Sequence, residues 1–190
     1  MTTSLRPAGL ADLDAITDLH TWARAAYYEA GGWCEPELTS PEAWSGRREM
    51  WLRAVRNDSK TVLCAVREAE LVGVLAMGPP HDADMDAAAA GQLYQIHVRP
   101  GSWGQGIGAR LHAAFVRHLR DASLTAGVLE AWERNSRAQG FYARHGWRPD
   151  GHRRPGPGDG HYVRMRLTVE LAGPRPDASG HGSPTPTPAI

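Results

Sequence analysis

Residues 98–111 read VRPGSWGQGIGARL, and this segment decides how the rest of the chain is interpreted. An apolar strand ends near Pro100, and a helical pattern begins a few residues later. Gly104, Gly106 and Gly108 lie between the two elements. Glycine lets a backbone turn tightly and approach a ligand closely, and the amides at the start of a helix point towards an anion. The segment therefore predicts a turn that binds pyrophosphate. The alternative is a strand-to-helix turn that is merely flexible.

Two nucleotide-binding motifs are excluded at this turn. The dinucleotide fingerprint requires GxGxxG with an acidic residue about 20 residues later, whereas the spacing here is GxGxG. The phosphate loop of nucleoside triphosphatases requires Gly-Lys followed by Ser or Thr, and the segment lacks that sequence. A different phosphate-containing ligand must therefore be considered.

The hydrophobic patterns on either side of this segment predict a mixed α/β domain. Apolar runs and alternating patterns predict strands at 4–7, 60–67, 71–77, 93–100, 126–132, from 146 onward and at 162–171. Helical spacing predicts helices at about 10–30, 41–55, after Gly108 and at 135–145. Two strand–turn–helix units within a mostly antiparallel run of strands favour a mixed sheet.

Composition predicts one folded domain, residues 1–172, followed by a disordered tail, residues 173–190. A length of 190 residues is typical of one domain. The last 18 residues, GPRPDASGHGSPTPTPAI, are rich in Pro, Gly, Ser and Thr and contain almost no large apolar side chain. Such a segment buries too little surface to offset the entropy lost on ordering.

Charge and cysteine usage exclude several classes of protein. The chain has 21 basic and 21 acidic residues, which argues against a nucleic-acid-binding protein that relies on phosphate contacts. The N-terminus lacks a charged start followed by an apolar run, and no segment approaches the length of a membrane helix. Cys34 and Cys64 form neither a disulfide framework nor a CxxC motif. We therefore expect a cytoplasmic protein that does not associate with a membrane.

No metal site is predicted. The cluster of Asp82, Asp84 and Asp86 lacks the glycine and the final glutamate of a calcium-binding EF-hand loop. The histidines show neither HxH nor HExxH spacing.

The glycine segment resembles the cofactor-binding core of the GNAT superfamily of N-acetyltransferases. The motif of that family is Gln or Arg, two variable residues, Gly, one variable residue, and then Gly or Ala. Gly106 and Gly108 match its two last positions, whereas Trp103 replaces the Gln or Arg. In this family the motif follows a strand whose open backbone holds the pantetheine arm of acetyl-CoA, and residues 95–98 would form that strand.

A second segment is similar to the same family. Residues 130–147 read EAWERNSRAQGFYARHGW, and the family pattern here is a strand, an Asn, a few residues and then A-x-x-F-Y-x-x-x-G-F. Asn135 matches the asparagine that contacts the cofactor arm, although it also suits the cap of a helix. Tyr142 matches the tyrosine that protonates the departing thiolate, although Phe141 and Tyr142 also suit simple aromatic packing. Trp147 stands where Phe is usual.

The resemblance implies a complete fold and a cofactor site. The fold would be α/β (α+β): a mixed, mostly antiparallel central sheet, about four flanking helices, and a splayed strand pair that forms the acyl-CoA cleft. The expected acetyl-CoA contacts are Ile96, His97, Val98, Trp103, Gly104, Gln105, Gly106, Ile107, Gly108, Ala109, Asn135 and Tyr142.

Several groups are candidates for the two proton transfers. A phenol with an ordinary pKa of about 10 stays protonated at neutral pH, so Tyr142 is a candidate general acid. His97 titrates near neutral pH and is a candidate base, with a packed or exposed histidine as the alternative. Glu130 and Glu133 on the next strand are further candidate bases, and deprotonation through water is equally open.

The acceptor site is expected at the first two helices and their connection, as the resemblance implies. Its candidate residues are Tyr27, Tyr28, Glu29 and Trp33. Aromatic rings with nearby carboxylates suit a cationic amine that has an apolar body. The alternative is that the aromatic residues pack in the core and the glutamates are exposed.

The sequence therefore predicts an enzyme that moves an acetyl group from acetyl-CoA to an amine by direct attack in a ternary complex. The acceptor would be a small-molecule amine or a peptide N-terminus, and a homodimer is one expected assembly because many members of the family dimerise. Two alternatives stay open. One is the same fold with another acyl donor, such as an aminoacyl-tRNA, and the other is a non-catalytic module that senses acetyl-CoA.

Overall fold

The computed structural model describes residues 2–34, 36–82 and 84–171. The predicted disordered tail, residues 173–190, lies outside the described residues, and so does the predicted domain boundary at residue 172. Both stay predictions.

The order of helices and strands is the one that the sequence patterns predict. The elements are β1 (Ser4–Pro7), α1 (Leu13–Ala30), α2 (Pro41–Arg56), β2 (Thr61–Arg67), β3 (Glu70–Gly78), β4 (Ala90–Val98), α3 (Ile107–Asp121), β5 (Ala126–Trp132), α4 (Ser136–Arg144), β6 (Arg148–Pro155) and β7 (His161–Thr168). Three short 3-10 turns lie at Leu10–Asp12, Pro36–Thr39 and Pro100–Ser102.

The two largest differences from the predicted strand boundaries, at the start of β4 and the end of β7, both result from strand pairing. β4 begins at Ala90, before the predicted start at residue 93, because residues 90–92 pair with the start of β5. β7 ends at Thr168 and not at residue 171, because Thr168 pairs with Ala126, the first residue of β5. Pairing with a neighbouring strand sets both boundaries, and the hydrophobic pattern of a single segment carries no information about that pairing.

The strands form one seven-stranded sheet in the order β1-β2-β3-β4-β5-β7-β6. Every neighbouring pair is antiparallel except β4 and β5, which are parallel. The expected mixed, mostly antiparallel sheet is therefore confirmed, with α1, α2, α3 and α4 as the four longer helices of the described residues.

β4 and β5 separate soon after they begin to pair. Their register covers only Ala90, Gly91 and Gln92 of β4. The register between β3 and β4 then shifts by one residue, which leaves Tyr94 as the extra residue of a β-bulge. A bulge bends its strand and increases the local twist. The sheet therefore opens into a cleft between the last residues of β4 and those of β5.

Helices cover both faces of the sheet and build two apolar cores. On one face, α3 and α4 pack with Phe115, Trp147 and Leu129 in the larger core. On the other face, α1 and α2 contribute Ile16 and Trp51 to a second core. Within the described residues, no helix combines the length and the apolar character that crossing a bilayer requires.

Candidate active site

The glycine-rich turn leads directly into α3. Gly104 and Gly106 both have φ of +78°, a conformation that favours glycine. A Cβ atom placed on either residue would meet nothing within 4 Å, so the turn is open on the side away from the protein. Gly108 differs, because it lies inside α3 with negative φ, and its Cβ would stand 3.6 Å from Phe141. The first amide groups of a helix lack intrahelical partners, so the turn and the start of α3 together can bind an anion.

Hydrogen bonds from the side chains of Trp103 and Arg67 hold this turn in place. The indole Nε1 of Trp103 donates a 2.8 Å hydrogen bond to the carbonyl oxygen of Val98. The guanidinium of Arg67 donates to the side-chain oxygen of Gln105 and, at 3.2 Å, to the hydroxyl of Ser102. Trp103, which replaces the Gln or Arg of the family motif, therefore links the turn to the end of β4 by this hydrogen bond.

A cavity of about 380 Å³ lies between the end of β4, the glycine turn, α3 and α4. We call it the glycine-turn cavity. It brings together eleven of the twelve residues predicted to contact acetyl-CoA, namely Ile96, His97, Val98, Trp103, Gly104, Gly106, Ile107, Gly108, Ala109, Asn135 and Tyr142. Gln105, the twelfth, does not line the cavity, because its side chain is held by Arg67.

Two cations of the same cavity were not predicted. Arg137 and Arg144 on α4 both line it, and the Arg137 guanidinium lies 4.4 Å from the centre of the Trp103 ring. These residues are seven positions apart, a spacing that places them on one face of a helix. This spacing is the signal that the sequence offers for the pair.

A second cavity, of about 620 Å³, lies where β4 and β5 have separated. We call it the sheet-edge cavity. Its walls come from α1, the loop before β4, the strands β4 and β5, the helix α4, and the adjoining ends of β6 and β7 with their connection. Both cavities are lined by Tyr27, Ile96, His97, Asn135, Ala138 and Tyr142. The two cavities therefore meet at the junction of β4 and α4.

Tyr142 stands at this junction. The residue is only 7% exposed, and no hydrogen-bond partner for its hydroxyl is found among the described residues. Burial raises the pKa of Tyr142 well above its ordinary value of 10. The hydroxyl is therefore a protonated group that faces both cavities and is free to donate a hydrogen bond.

Asn135 caps α4 and lines both cavities. Its side-chain oxygen accepts a 3.1 Å hydrogen bond from the amide of Ala138, which holds the first turn of the helix. Tyr142 lies two turns further along α4. The cap thus helps to set the position of the tyrosine.

His97 points to the face of β4 opposite to Ile96 and Val98, as strand alternation predicts. Its ring stacks on His20 of α1 with 4.2 Å between centroids, and its Nε2 lies 2.7 Å from the side-chain oxygen of Gln95. Burial, with a smaller contribution from the charge of Arg24, lowers the pKa of His97 to about 3. The imidazole is therefore neutral at pH 7 and binds a proton weakly.

Glu130 and Glu133 lie in different surroundings. Glu130 lines the sheet-edge cavity and forms a 2.7 Å ion pair with Arg154. Glu133 pairs with Arg153, and it accepts a 2.7 Å hydrogen bond from the amide of His161. Among the described residues, Glu130 is the acidic side chain that lines the sheet-edge cavity.

Of the four predicted acceptor residues, one lines the two cavities and three do not. Tyr27 lines both cavities. Tyr28 is fully buried, and its hydroxyl lies 2.5 Å from that of Tyr162. Trp33 packs edge-on against Tyr28, and Glu29 is exposed; neither lines the glycine-turn cavity or the sheet-edge cavity. Arg24, Tyr94, residues 154–157 and Tyr162 also line the sheet-edge cavity, and the sequence patterns did not indicate them.

No thiol or metal ligand set stands at the junction in the described part of the chain. Cys34 is exposed, and Cys64 is buried in the second core, where burial raises the pKa of its thiol to about 11. Across residues 2–34, 36–82 and 84–171, no group of three His, Cys, Asp or Glu side chains is arranged to hold a metal ion. Asp82 and Asp84 instead form ion pairs with Arg164.

Comparison with known proteins identifies the class of protein that this fold and site define. The model of the acetyltransferase (GNAT) family matches residues 16–147. The chain belongs to the GNAT acetyltransferase family, since this match spans well over half of its 190 residues. The family resemblance predicted from the two sequence segments is confirmed.

Individual relatives are more distant. A mycothiol acetyltransferase from Rhodococcus opacus (strain B4) is 26% identical over 141 residues, which are 73% of this chain and 43% of that protein. A mycothiol acetyltransferase from Parafrankia sp. (strain EAN1pec) is 37% identical over 75 residues, which are 37% of this chain and 23% of that protein. The chain thus spans less than half the length of these curated relatives.

A solved structure supports the fold. The PaiA N-acetyltransferase from Thermoplasma acidophilum, in complex with coenzyme A, superposes with a TM-score of 0.70 at 18% identity. The superposition covers 89% of this chain and 100% of that chain. At this level of identity the likeness concerns the fold alone.

Proposed function

We propose that this chain is an acetyl-CoA-dependent N-acetyltransferase that transfers the acetyl group directly to an amine. The donor would occupy the glycine-turn cavity and the amine the sheet-edge cavity. The observation that carries the proposal is that the two cavities share a wall containing Tyr142 and Asn135. Membership of the GNAT family supports the reaction class.

The residues of the glycine-turn cavity fit acetyl-CoA. Beyond Gln92, the described residues of β4 pair with β3 and not with β5, so one edge of the strand is open to a ligand that carries amide groups. The open turn at Gly104 and Gly106, next to the start of α3, suits a pyrophosphate. Arg137 and Arg144 add positive charge for phosphate groups.

Direct transfer requires an amine that has lost its proton. Acetyl-CoA supplies a thioester whose acetyl carbon accepts the amine nitrogen. Of the predicted bases, His97 and Glu130 line the sheet-edge cavity, and Glu130 fits removal of the amine proton better than His97 does. Glu130 is the carboxylate of the sheet-edge cavity, whereas the pKa of His97, lowered by burial to about 3, makes that imidazole a weak base at pH 7. Glu130 would act directly or through one water molecule.

Tyr142 would donate a proton to the departing thiolate. Its pKa is raised by burial, which by itself makes the phenol a weaker acid. The same burial also disfavours a thiolate formed at the junction, because desolvation penalises either anion. Burial therefore raises the pKa of the phenol and of the departing thiol together, so a proton can still pass from Tyr142 to the thiolate. A cysteine intermediate has no support, since neither Cys34 nor Cys64 lines the glycine-turn cavity or the sheet-edge cavity.

The acceptor is proposed as a small-molecule amine or a peptide N-terminus. Relatives named mycothiol acetyltransferase act on a small molecule by name. We also place the activity in the cytoplasm, which the absence of a cysteine framework from the sequence supports.

The proposal is tested by incubating the protein with acetyl-CoA and a panel of amines while thiol release is followed. The panel contains polyamines, amino acids, aminoglycosides and peptides with free N-termini. We expect amine-dependent thiol release and one acetylated product per thiol. Binding of acetyl-CoA without transfer to any amine would indicate a sensing module. An absence of acetyl-CoA binding would indicate another acyl donor, such as an aminoacyl-tRNA.

A further inference from the structure

Arg24 is an unpartnered cation in the wall of the sheet-edge cavity. It lies on α1 and lines this cavity but not the glycine-turn cavity. Its Nε atom is buried and has no hydrogen-bond partner among the described residues. The guanidinium lies 5.0 Å from the centre of the Tyr28 ring, which positions it without satisfying its N–H groups. A buried donor without a partner is costly, and most such groups in proteins are satisfied.

The other charged groups of the cavity do not neutralise Arg24. Arg154 and Glu130 form an ion pair with each other at 2.7 Å. His97 and His81 are held towards the neutral form, because burial lowers the pKa of each. Among the described residues that line the cavity, these are the ionisable groups besides the tyrosines, whose hydroxyls are neutral at pH 7. The sheet-edge cavity therefore holds one positive charge that lacks a counter-charge.

We infer that the acceptor is an amine that carries a carboxylate, and that Arg24 binds this carboxylate; the inference rests on the proposed function. The guanidinium presents its N–H groups in a fork that matches the two oxygens of a carboxylate. The aromatic and apolar wall of Tyr27, Trp132 and Leu93 would contact the body of the molecule. An amino acid, or a derivative with a free carboxylate, has these three features.

A carboxylate fits the cavity better than a phosphate. Arg24 offers one uncompensated positive charge, which matches the single charge of a carboxylate. A phosphate monoester carries a charge of about −1.5 to −2 at neutral pH. It would place its excess negative charge in a cavity that already contains Glu130. Like charges at short range disfavour that arrangement.

The test compares each amino acid with its amide and its decarboxylated amine as acetyl acceptors. For the parent protein we expect KM to be about 10- to 100-fold lower for the carboxylate-bearing member, the range of a charge-assisted hydrogen bond. Arg24→Gln should remove this preference by raising KM for the carboxylate and leaving KM for the amide unchanged. Arg24→Lys should restore part of it. Arg117→Gln, an exposed site on α3, controls for the loss of a charge and should behave as the parent does.

A binding measurement separates this inference from the proposed function. N-acetylated amino acids and their amides are added without acetyl-CoA, and the melting temperature is recorded. A larger stabilisation by the carboxylate form, lost in Arg24→Gln, supports the inference whether or not turnover occurs. Stabilisation of Arg24→Gln by acetyl-CoA verifies that the variant is folded. Equal effects of carboxylate and amide across the panel in both measurements would overturn the assignment of Arg24. Failure to transfer acetyl to any amine would contradict the proposed function instead.

Discussion

The glycine-turn cavity and the sheet-edge cavity share one wall and differ in almost everything else. The glycine-turn cavity is built mainly from two continuous segments, residues 96–109 and 135–145, and its lining contains three glycines, apolar side chains and two arginines of one helix, Arg137 and Arg144. The sheet-edge cavity draws on residues from position 24 to position 162, and it contains an ion pair and an uncompensated arginine. Two local segments therefore form most of the first cavity, whereas the second depends on side chains from distant parts of the chain.

This difference matches the two tasks that we propose. A donor that is the same throughout a family can be bound by backbone groups and a short turn, which tolerate variation of side chains. An acceptor is selected by charge and shape, and those depend on side chains from distant parts of the chain. The shared wall at Tyr142 is where the two tasks meet, and the predictions below test it and each cavity in turn.

The largest effect is expected at the shared wall. Tyr142→Phe keeps the ring and removes the hydroxyl, so kcat should fall by a factor on the order of 10²–10⁴ if proton donation is lost. The affinity for acetyl-CoA and the KM for the amine should change little, because packing in both cavities is preserved. Single-turnover kinetics with a good acceptor measure the chemical step. An unaltered single-turnover rate would show that Tyr142 only packs against its neighbours.

The glycine-turn cavity is tested by Gly106→Val. Acetyl-CoA at 100 times its dissociation constant should stabilise the parent by about 2.7 kcal/mol. The variant should lose this stabilisation, because its side chain enters the open turn and strains a backbone with φ of +78°.

The matched control for this variant is Gly32→Val. Gly32 has φ of +75° and open space around it, so the strain is similar but lies outside the glycine turn. The control should be destabilised and still respond to acetyl-CoA in a thermal shift assay. If Gly106→Val responds as fully as the parent, the pyrophosphate binds elsewhere.

Acid should lower the stability of the fold through two buried histidines, His97 of the shared wall and His112, which lines neither cavity and packs against Trp147. Burial lowers the pKa of His97 to about 3, and burial with a contribution from His145 lowers that of His112 to about 4. The unfolded chain takes up these protons near pH 6.5 and the folded chain does not, so stability is greatest above pH 6.5 and declines as the pH falls towards 4. At pH 5 the loss should be about 2 kcal/mol for each histidine.

Urea unfolding of the ligand-free protein at pH 7 and pH 5 measures this decline. His97→Gln should remove roughly one histidine's share of the difference between the two pH values. The same slope in parent and variant would mean that His97 is accessible to protons in the folded state.

The smallest effect is expected at the rim of the sheet-edge cavity. The hydroxyls of Tyr28 and Tyr162 lie 2.5 Å apart and join α1 to β7. A double-mutant cycle of Tyr28→Phe and Tyr162→Phe should give a coupling of about 0.5–1.5 kcal/mol in the free energy of unfolding. Strictly additive effects would show that the two hydroxyls do not interact in solution.

The sequence predicts the first cavity better than the second for a physical reason. Gly106, Asn135 and Tyr142 act through local geometry: a turn, a helix cap and a position on one short helix. A short sequence motif is therefore sufficient to predict such geometry. The order of strands and helices was also predictable, because hydrophobic periodicity is local.

The residues of the second cavity depend on long-range pairing. Arg24 reaches the cavity only because α1 packs beside β4, and Tyr162 only because β7 inserts between β5 and β6. No local pattern contains that information, so the family resemblance locates the acceptor site only to the first two helices and their connection, which include Tyr28 and Trp33. The structure instead packs these two rings together, beside Trp132, in a small separate core. Glu29 lies on the exposed side of α1.

The most direct test of the central claim is transfer of an isotopically labelled acetyl group from acetyl-CoA, followed by mass spectrometry of both protein and amine. Two cavities that meet at Tyr142 predict that the label appears on the amine, with one thiol released for each acetyl transferred. They also predict that the protein gains no label when acetyl-CoA is supplied alone. Stable labelling of the protein without amine, or thiol release that does not depend on the amine, would contradict direct transfer across the shared wall.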